Sequence, residues 1–520
     1  MSLNLPARTS FTSPSVPRCI LLLEAKEKTY TIYFIALLFI VAAIRLSVIG
    51  LSQLTPQEAY YWNYAQHPDW SYFDHPPAAS LLIKSGTLIF GDNSFGVRFG
   101  GVILSSLLAL ITFLFVRRLF NARVAFYSVF LFSVTWIFAV GAVVTTPDTP
   151  MFLFWVLCLV LIYYAVRKES FWLFVLWGLS AGLGFASKYT MALVFPSAFL
   201  FLLMTGKFRS LKIWVYFAGG CIASLITAFP VFYWNYLHEW ASFAFQTTRR
   251  AGEMSRFRFD MFFGFLGSQM AIITPFIFPF VIYAIYKSFI KGRGEKDNRY
   301  ILLFCFSAPI IILFTLVSFR GWVKMNWPVA GYFPGIIALC ALFEDKIYPR
   351  PAWMKRTWRK YAVFAVSFAI AVTSLSYIHS FFPILPMGKA DTMAGWRETA
   401  EVVDFYRRRH IANNPNNIIG YEYKIASEMA FYTEGKPDTK SDNYVGRHGL
   451  SYRFWSDPRN HIGEDFLFVY DSRYKYQPES ALLGAFKYIS PVRRLKIYGI
   501  GGELFSVRII KCYEYQGVDG

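Results

Sequence analysis

The chain has 520 residues, of which 55% are hydrophobic, 20% aromatic and only 16% charged, and its formal net charge is +20. A typical soluble domain is about 25% charged, so this composition excludes an ordinary soluble enzyme and a disordered chain. In a soluble protein, the excess of 52 Lys and Arg over 32 Asp and Glu would indicate a nucleic acid partner. In so apolar a chain the excess can instead reflect membrane topology.

Apolar runs long enough to cross a membrane occur throughout the first three quarters of the chain. A helical span needs roughly 20 apolar residues. About eleven runs approach this length, at residues 31–49, 98–116, 124–143, 150–166, 171–186, 191–204, 211–234, 262–286, 301–318, 327–343 and 361–378. We therefore predict a polytopic α-helical membrane protein with about eleven transmembrane helices, of which the fifth and sixth could be re-entrant.

The loops between these runs separate into two sets by charge. One set holds 23 basic and 7 acidic residues, in segments 1–30, 117–123, 167–170, 206–212, 287–299 and 344–360. The other holds 8 basic and 8 acidic residues, in segments 50–97, 144–149, 187–190, 235–261 and 319–326. Because Lys and Arg are retained on the cytoplasmic side, the first set is predicted to be cytoplasmic and the second extracytoplasmic.

The last part of the chain differs from the membrane part in its charge content and in its pattern of apolar residues. An odd number of spans places residues 379–520 outside the cytoplasm, where they carry 19 basic and 17 acidic residues. An amphipathic segment at 393–410, β-like runs at 417–421 and 466–470, and a hairpin over 492–510 indicate a mixed α/β domain. We thus predict a cytoplasmic segment 1–30, a membrane domain 31–378 and an extracytoplasmic α/β domain 379–520.

The first outer loop carries a carboxylate among aromatic rings. Thr55 followed by Pro56 is typical of a helix start, which would place Glu58, Tyr61 and Trp62 on one helix face. One interpretation is a belt of interfacial aromatic residues with Glu58 as a helix N-terminal charge. The other is that the rings also line a site in which Glu58 acts.

A second carboxylate, Asp148, follows the third apolar run, in the sequence Thr145-Thr-Pro-Asp-Thr-Pro150. It could simply cap the next helix. Together with Glu58, however, it provides two acidic groups on separate outer loops, an arrangement that a general base or a metal site would use. Sequence spacing does not show whether the two groups meet.

Basic residues in the outer loops run against the topology rule and therefore invite a functional explanation. We consider Lys188, Arg249, Arg250 and Lys324 as ligands of a phosphate group, because Arg offers bidentate contacts and Lys a compact charge. The alternative for each is a side chain that extends to lipid headgroups. His75, which precedes two prolines, could bind a phosphate or a metal or simply end the loop.

At these residues the sequence resembles a known family. Glu58-Ala-Tyr-Tyr-Trp62, Trp70-Ser-Tyr-Phe-Asp-His-Pro-Pro77, Thr146-Pro-Asp-Thr-Pro150 and Ser187-Lys-Tyr-Thr190 are similar to the GT-C glycosyltransferases of family 39. That family contains protein O-mannosyltransferases and the aminoarabinose and galacturonic acid transferases that act on lipid A. The resemblance covers roughly residues 30–345 and is strongest in the first outer loop.

The resemblance implies an activity and roles for the outer residues. Members transfer a sugar, with inversion, from a polyprenyl-phosphate carrier to an acceptor at the outer membrane face. An acidic residue of the first loop activates the acceptor, the acid after the third span organises the site, and basic groups near the Pro-Pro motif and in later loops hold the lipid phosphate.

Two positions depart from the family pattern. Gln57-Glu58 stands where members usually have Asp-Glu, and an amide cannot serve as a base at neutral pH. Either Glu58 or Asp148 is then the base. His75 stands where several relatives have Lys, which puts its phosphate role in question.

These observations predict a glycosyltransferase of a bacterial cytoplasmic (inner) membrane, with Glu58 and Asp148 as catalytic residues. His75, Lys188, Arg249, Arg250, Lys324 and Tyr61 are predicted to bind substrate. The partners are a polyprenyl-phosphate-linked sugar, an envelope lipid, glycan or protein acceptor, and membrane lipids, but no nucleic acid. No cofactor is assigned, and a divalent metal, with ligands unknown, stays open. The alternative is a polytopic lipid or solute transporter, in which ionisable groups would gather near the bilayer midplane.

Overall fold

The structure is a computed structural model that describes residues 18–249, 257–344, 352–382, 384–385, 387, 391–411, 414–473, 478–499 and 502–518. Its membrane part is helical. The helices are α1 (Arg18–Val48), α2 (Pro56–Gln66), α3 (Ala78–Phe90), α4 (Ser94–Leu119), α5 (Ala122–Val134), α6 (Trp136–Gly141), α7 (Asp148–Lys168), α8 (Phe171–Phe185), α9 (Val194–Met204), α10 (Leu211–Leu237), α11 (Ala241–Ala244), α12 (Phe259–Ile273), α13 (Phe278–Gly294), α14 (Asn298–Ser318), α15 (Val329–Glu344) and α16 (Ala352–Phe381).

The chain is a multi-pass membrane protein, but a count of eleven spans is not confirmed. Among the described residues, six helices are long and apolar enough to cross a membrane, namely α1, α4, α7, α10, α14 and α16. The pair α12 and α13 would make a seventh span, although it is bent by 96° at its break. Other predicted runs form shorter apolar helices, such as α5, α8, α9 and α15. Length alone therefore does not decide whether these shorter helices cross the bilayer.

The connecting loops fall into two groups, and these match the two loop sets that their charges separate in the sequence. Predicted outer loops meet through hydrogen bonds from Thr145 N to Glu58 Oε1, Lys188 Nζ to Asp148 Oδ1, Gln246 Nε2 to Asp74 O, and Arg258 N to Phe319 O. The opposite loops meet through the pairs Arg117–Glu27, Arg123–Glu344 and Lys207–Glu169, and through Arg299 and Leu119 O. The five predicted outer loops thus form one surface.

α8 packs closely on α10 through glycines. A Cβ atom added to Gly178 would lie 1.8 Å from the carbonyl oxygen of Gly220, and one added to Gly182 would lie 2.1 Å from that of Ser224. Only glycine permits this approach, as is common between membrane helices. The packing holds the segment after α8, which contains Lys188, at the outer surface.

The C-terminal part is a mixed α/β domain, as predicted. Its helices are α17 (Trp396–His410), α18 (Tyr423–Tyr432), α19 (Tyr452–Trp455) and α20 (Glu479–Ala485), and its strands are β1 (Ile418–Gly420), β2 (Phe466–Asp471), β3 (Phe486–Ile489), β4 (Arg493–Gly499) and β5 (Gly502–Tyr515). β1 pairs with β2 in parallel, and β2 pairs antiparallel with β5. Along its other edge, β5 pairs antiparallel with β4 through its first part and with β3 through its last residues. The long strand β5 therefore organises the sheet.

This domain rests on the first outer loop. The N–H groups of Trp396 and Arg397 at the start of α17 donate to Gln53 Oε1, at 2.8 and 3.1 Å. The N–H of Leu54 donates to the Tyr432 hydroxyl at 2.6 Å, and His67 lies 3.2 Å from Asp438. The loop is therefore held between the membrane helices and the α/β domain.

One carboxyl group of the domain should make its stability depend on pH. Burial, reinforced by the nearby charge of Glu422, raises the pKa of Asp442 to about 7. The folded protein then holds a proton that the unfolded chain has released, so stability falls as the pH rises from about 4 to about 7, by on the order of 2–4 kcal/mol. We expect the melting temperature to fall less between pH 5 and 8 in Asp442→Asn than in the wild type.

A matched variant for this measurement is Asp457→Asn. The Arg459 side chain keeps the pKa of Asp457 below its usual range, so this carboxylate is ionised in both states above pH 5. Asp457→Asn should therefore retain the wild-type difference between pH 5 and 8. Equal differences in the wild type and Asp442→Asn would contradict the assignment to Asp442.

Candidate active site

Three outer segments converge on Asp148, the first residue of α7. Lys188 Nζ lies 2.6 Å from Asp148 Oδ1, and Asn326 Nδ2 donates to Oδ2 at 2.7 Å. The side chains of Asp148 and Lys188 are only 13% and 6% exposed. The carboxylate is thus held and charge-compensated at the outer ends of the helices. Of the predicted site residues, Asp148 and Lys188 are brought into direct contact.

Glu58 lies on α2 and is completely enclosed. Its two oxygens accept from Arg98 Nε at 2.7 Å and Arg98 Nη2 at 2.8 Å, and both side chains are 0% exposed. Glu58 Oε2 also accepts from the N–H and hydroxyl of Thr55. The bond from the Thr55 N–H, together with the one that the Glu58 N–H donates to Thr55 Oγ1, forms a capping box at the start of α2. Glu58 Oε1 accepts from Thr145 N at 3.1 Å. Glu58 therefore joins α2, α4 and the loop that leads to Asp148.

The numbers of hydrogen bonds distinguish the two predicted catalytic acids. A carboxylate has about four lone-pair sites. Glu58 accepts five hydrogen bonds, whereas the described residues donate one to each oxygen of Asp148. Asp148 therefore keeps acceptor capacity for a substrate hydroxyl, and Glu58 does not. This geometry favours Asp148 over Glu58 as the candidate base, and it leads us to expect that Glu58 positions its neighbours.

A third carboxylate, Asp74, was missed as a site residue. Its Oδ1 accepts from the hydroxyls of Tyr60, Tyr64 and Ser451, at 2.7, 2.5 and 3.3 Å. Burial raises its pKa, while these hydroxyls and the Lys324 ammonium act in the opposite direction. The signal in the sequence was its place directly before His75-Pro76-Pro77, inside the string that carries the family resemblance. Its contact with Ser451, in the α/β domain, could not be foreseen.

Tyr61 and His75 complete the surroundings of these acids. Burial, followed by the charges of Asp74 and Asp148, raises the pKa of Tyr61 well above its usual range. The Tyr61 hydroxyl is therefore neutral and can donate a hydrogen bond within the field of both carboxylates. The His75 ring packs against Tyr61 edge to face, with 5.8 Å between the ring centroids. Both predicted residues thus belong to the same cluster.

The remaining predicted cations differ in their location and in how much of them the structure describes. Lys324 is exposed and lies close enough to Asp74 to favour its charged form. Arg249 ends a π-helical turn over Phe245–Arg249 with no described side chain, and Arg250 lies outside the described residues. Gln246, in the same turn, donates to the carbonyl of Asp74 at 2.8 Å. The turn that ends at Arg249 therefore contacts the Asp74 loop through the Gln246 side chain.

The acids of this surface do not gather into a recognisable metal cage. Within the described ranges, His, Cys, Asp and Glu side chains form no group of three or more that could hold a metal ion. Asp148 is instead bound to a lysine and an amide. The arrangement can accept a proton at Asp148 and stabilise an anion with the nearby ammonium groups.

Comparisons with known proteins show sequence similarity between parts of this chain and sugar transferases. Residues 74–234 match the family described as dolichyl-phosphate-mannose-protein mannosyltransferase. The lipid A galacturonosyltransferase RgtD of Rhizobium johnstonii is 25% identical over 283 residues, 54% of this chain and 58% of that protein. The undecaprenyl phosphate-alpha-4-amino-4-deoxy-L-arabinose arabinosyl transferase of Pseudomonas aeruginosa is 31% identical over 165 residues, 31% of this chain and 30% of that protein. The matches thus span between about a third and three fifths of these relatives.

Comparison with solved structures extends over almost the whole chain. The apo structure of ArnT from Cupriavidus metallidurans superposes with a TM-score of 0.59 at 15% identity, covering 93% of this chain and 98% of ArnT. The structure of the same protein bound to undecaprenyl phosphate gives a TM-score of 0.57 with the same coverage. The predicted fold class, a polytopic helical membrane protein with a C-terminal α/β domain, is therefore confirmed, and the chain shares the fold of ArnT.

Proposed function

We propose that the chain is a membrane glycosyltransferase that moves a sugar from a polyprenyl-phosphate carrier to an acceptor of the bacterial envelope. The observation that carries the proposal is Asp148, a compensated carboxylate with spare acceptor capacity at the outer ends of the helices. The sequence matches to RgtD and to the arabinosyl transferase support a lipid A acceptor and an undecaprenyl-phosphate donor. They support sugar transfer and not the alternative of a transporter.

In the proposed reaction, Asp148 removes the proton of an acceptor hydroxyl. The acceptor oxygen forms a bond to the anomeric carbon as the bond from that carbon to the phosphate oxygen breaks. The electron pair of the broken bond stays on the phosphate, so polyprenyl phosphate leaves with an added negative charge. A single displacement of this kind inverts the anomeric configuration.

The charge that develops on the phosphate needs preorganised cations in a site that excludes much of the water. Lys324, next to Asp74, and Arg249 with Arg250, in the segment that contacts the Asp74 loop, are proposed for this role. Lys188 has another task, since it neutralises Asp148 at 2.6 Å. His75 and Tyr61 are proposed to donate hydrogen bonds to the donor substrate beside the same loop.

The charge of the loops supports a location and an orientation. Retention of basic loops on the cytoplasmic side supports an Asp148 surface that faces away from the cytoplasm, and we propose that it lies on the extracytoplasmic face of the inner membrane. We propose a cytoplasmic segment 1–30, a transferase domain 31–378 and an extracytoplasmic domain 379–520. Because the Ser451 hydroxyl donates to Asp74, the last domain would contribute a side chain to the site from its extracytoplasmic side.

Donor consumption by purified protein tests this proposal. Full-length protein in detergent would be incubated with lipid A and, one at a time, with undecaprenyl-phosphate sugars that include galacturonic acid and aminoarabinose. We expect one donor to release undecaprenyl phosphate only when both the protein and an acceptor are present. A folded protein that consumes none of the donors, but moves lipids or solutes across proteoliposomes, would contradict the proposal.

A further inference from the structure

A cavity near the outer ends of the helices contains a cation that the proposed reaction does not use. Its volume is about 530 Å³ including its open mouth, and it lies between α1, α4, α5, α6, α7 and α15. Most of its wall is apolar, with Phe132, Phe138, Phe152 and Phe333 among its rings. Three hydroxyl residues also line it, and the one charged residue among the lining residues is Arg45.

Arg45 is buried and its contacts are with neutral groups. The residue is 8% exposed, its Nη1 donates to Ser105 Oγ at 3.2 Å, and the Tyr377 hydroxyl lies beside it. No acidic side chain of the described ranges forms an ion pair with it. Arg45 lies three residues before the end of α1, about 4.5 Å along the helix axis. A lone cation at this depth, next to an apolar cavity, calls for an anion that itself resides in the membrane.

The cavity borders the candidate active site without being part of it. Thr149, directly after Asp148, contributes to its wall. The wall contains neither Asp148 nor Lys188, and none of the outer-loop cations. In the proposed reaction the donor phosphate lies on the outer-loop cations, none of which lines this cavity, so an occupant held at Arg45 is a different molecule from the reacting donor.

We propose that this cavity binds an anionic phospholipid, with the headgroup phosphate on Arg45 and an acyl chain against the apolar wall. Charge complementarity decides between lipid classes. A phospholipid with a net charge of −1 neutralises the guanidinium, whereas a zwitterionic headgroup also brings an ammonium for which the cavity offers no carboxylate. Basic pockets between membrane helices recognise anionic headgroups by this rule. The site does not depend on the proposed sugar transfer.

Separate substitutions can remove the charge of Arg45 and fill the volume of the cavity. Arg45→Leu removes the cation, and Arg45→Lys keeps a charge without the bidentate geometry. Gly141 borders the cavity, and a Cβ atom added there meets no atom within 4 Å, so Gly141→Leu fills the cavity while keeping Arg45. Gly264 on α12 has equally open surroundings away from the cavity wall, so Gly264→Leu is the matched control.

Lipid binding to delipidated, full-length protein tests the proposal by native mass spectrometry. Phosphatidylglycerol should bind the wild type about tenfold more tightly than phosphatidylethanolamine. Arg45→Leu should abolish this preference, Gly141→Leu should weaken the binding of both lipids, and Gly264→Leu should change neither.

Unchanged phosphatidylglycerol affinity in Gly141→Leu and in a folded Arg45 variant would overturn the assignment. One-for-one displacement of phosphatidylglycerol by undecaprenyl phosphate would also overturn it, because the cavity would then belong to the carrier lipid. Should Arg45→Leu not fold, Arg45→Lys and Gly141→Leu decide the question.

Discussion

Replacing Asp148 by asparagine is expected to lower the rate of sugar transfer by about 10²–10⁴-fold, the usual contribution of a general base. The amide has nearly the same shape, and its oxygen can still accept from Lys188, which lies 2.6 Å from the carboxylate. Its NH2 can donate to Asn326 once the Asn326 amide turns its oxygen inward. It cannot take a proton from an acceptor at neutral pH. The loss should therefore appear in turnover, while the protein stays folded in the membrane.

Donor turnover and the melting temperature should be measured together for this variant. Asp260→Asn is a matched control, since Asp260 is an exposed acid of the outer loops that pairs with Arg258 and has no contact with the Asp148 cluster. The control should retain wild-type turnover. Wild-type turnover in Asp148→Asn would remove Asp148 as the base, and a loss of folded protein would show that its ion pair with Lys188 is mainly structural.

Replacing Glu58 by glutamine is expected to destabilise the protein by about 3–5 kcal/mol, because one partner of a buried ion pair is removed and the other stays buried. The Arg98 guanidinium, 0% exposed, would lose both of its charged contacts. The amide could no longer accept all five hydrogen bonds, so the capping box and the contact with Thr145 would also weaken. A lower denaturation midpoint would show this loss.

A surface pair provides the comparison for this effect. Glu503 pairs with Lys496 at 2.7 Å, and the two side chains are 40% and 60% exposed. Exposed ion pairs contribute about 0–1 kcal/mol, so Glu503→Gln should hardly change the midpoint. Equal midpoints for Glu58→Gln and the wild type would contradict the structural role.

The double variant Glu58→Gln with Arg98→Gln separates positioning from catalysis. With no unpaired charge left, it should recover part of the stability lost in Glu58→Gln and part of its transfer activity. A catalytic base could not be restored in this way. Recovery of stability without any recovery of activity would return Glu58 to the list of catalytic residues.

Much of the architecture could be predicted because apolar length and loop charge are local properties. The eleven apolar runs all contain helices, and the loops separated by charge meet in two groups. The number of spans could not be predicted, since an apolar run does not show a bend. The run at 262–286 turns by 96° between α12 and α13, and the run at 124–143 is interrupted at Thr135.

The residue types of the candidate site could also be read from the sequence, but their pairing could not. Arg98 lies 40 positions from Glu58, and Lys188 lies 40 positions from Asp148. Both carboxylates lie near helix starts and are equally plausible as catalytic groups until their partners are known. Only the three-dimensional contacts show that one is saturated with donors and the other is not.

The same limit explains why Asp74 was missed. Its tyrosine partners on α2 lie within 14 positions, but Ser451 lies 377 positions away in another domain. Three donors on one oxygen distinguish this acid from Asp69, which bonds to Trp234, and from Asp92, which bonds to Trp62. No local sequence pattern predicts that the α/β domain packs on the first outer loop.

The anomeric configuration of the product tests the central claim most directly. Purified protein would be given an undecaprenyl-phosphate sugar of one defined anomer together with lipid A, and the linkage formed would be determined by nuclear magnetic resonance. Direct displacement assisted by Asp148 predicts a single product with the opposite anomeric configuration to the donor. A product that retains the donor configuration, or the absence of any sugar-linked product with folded protein, would contradict it.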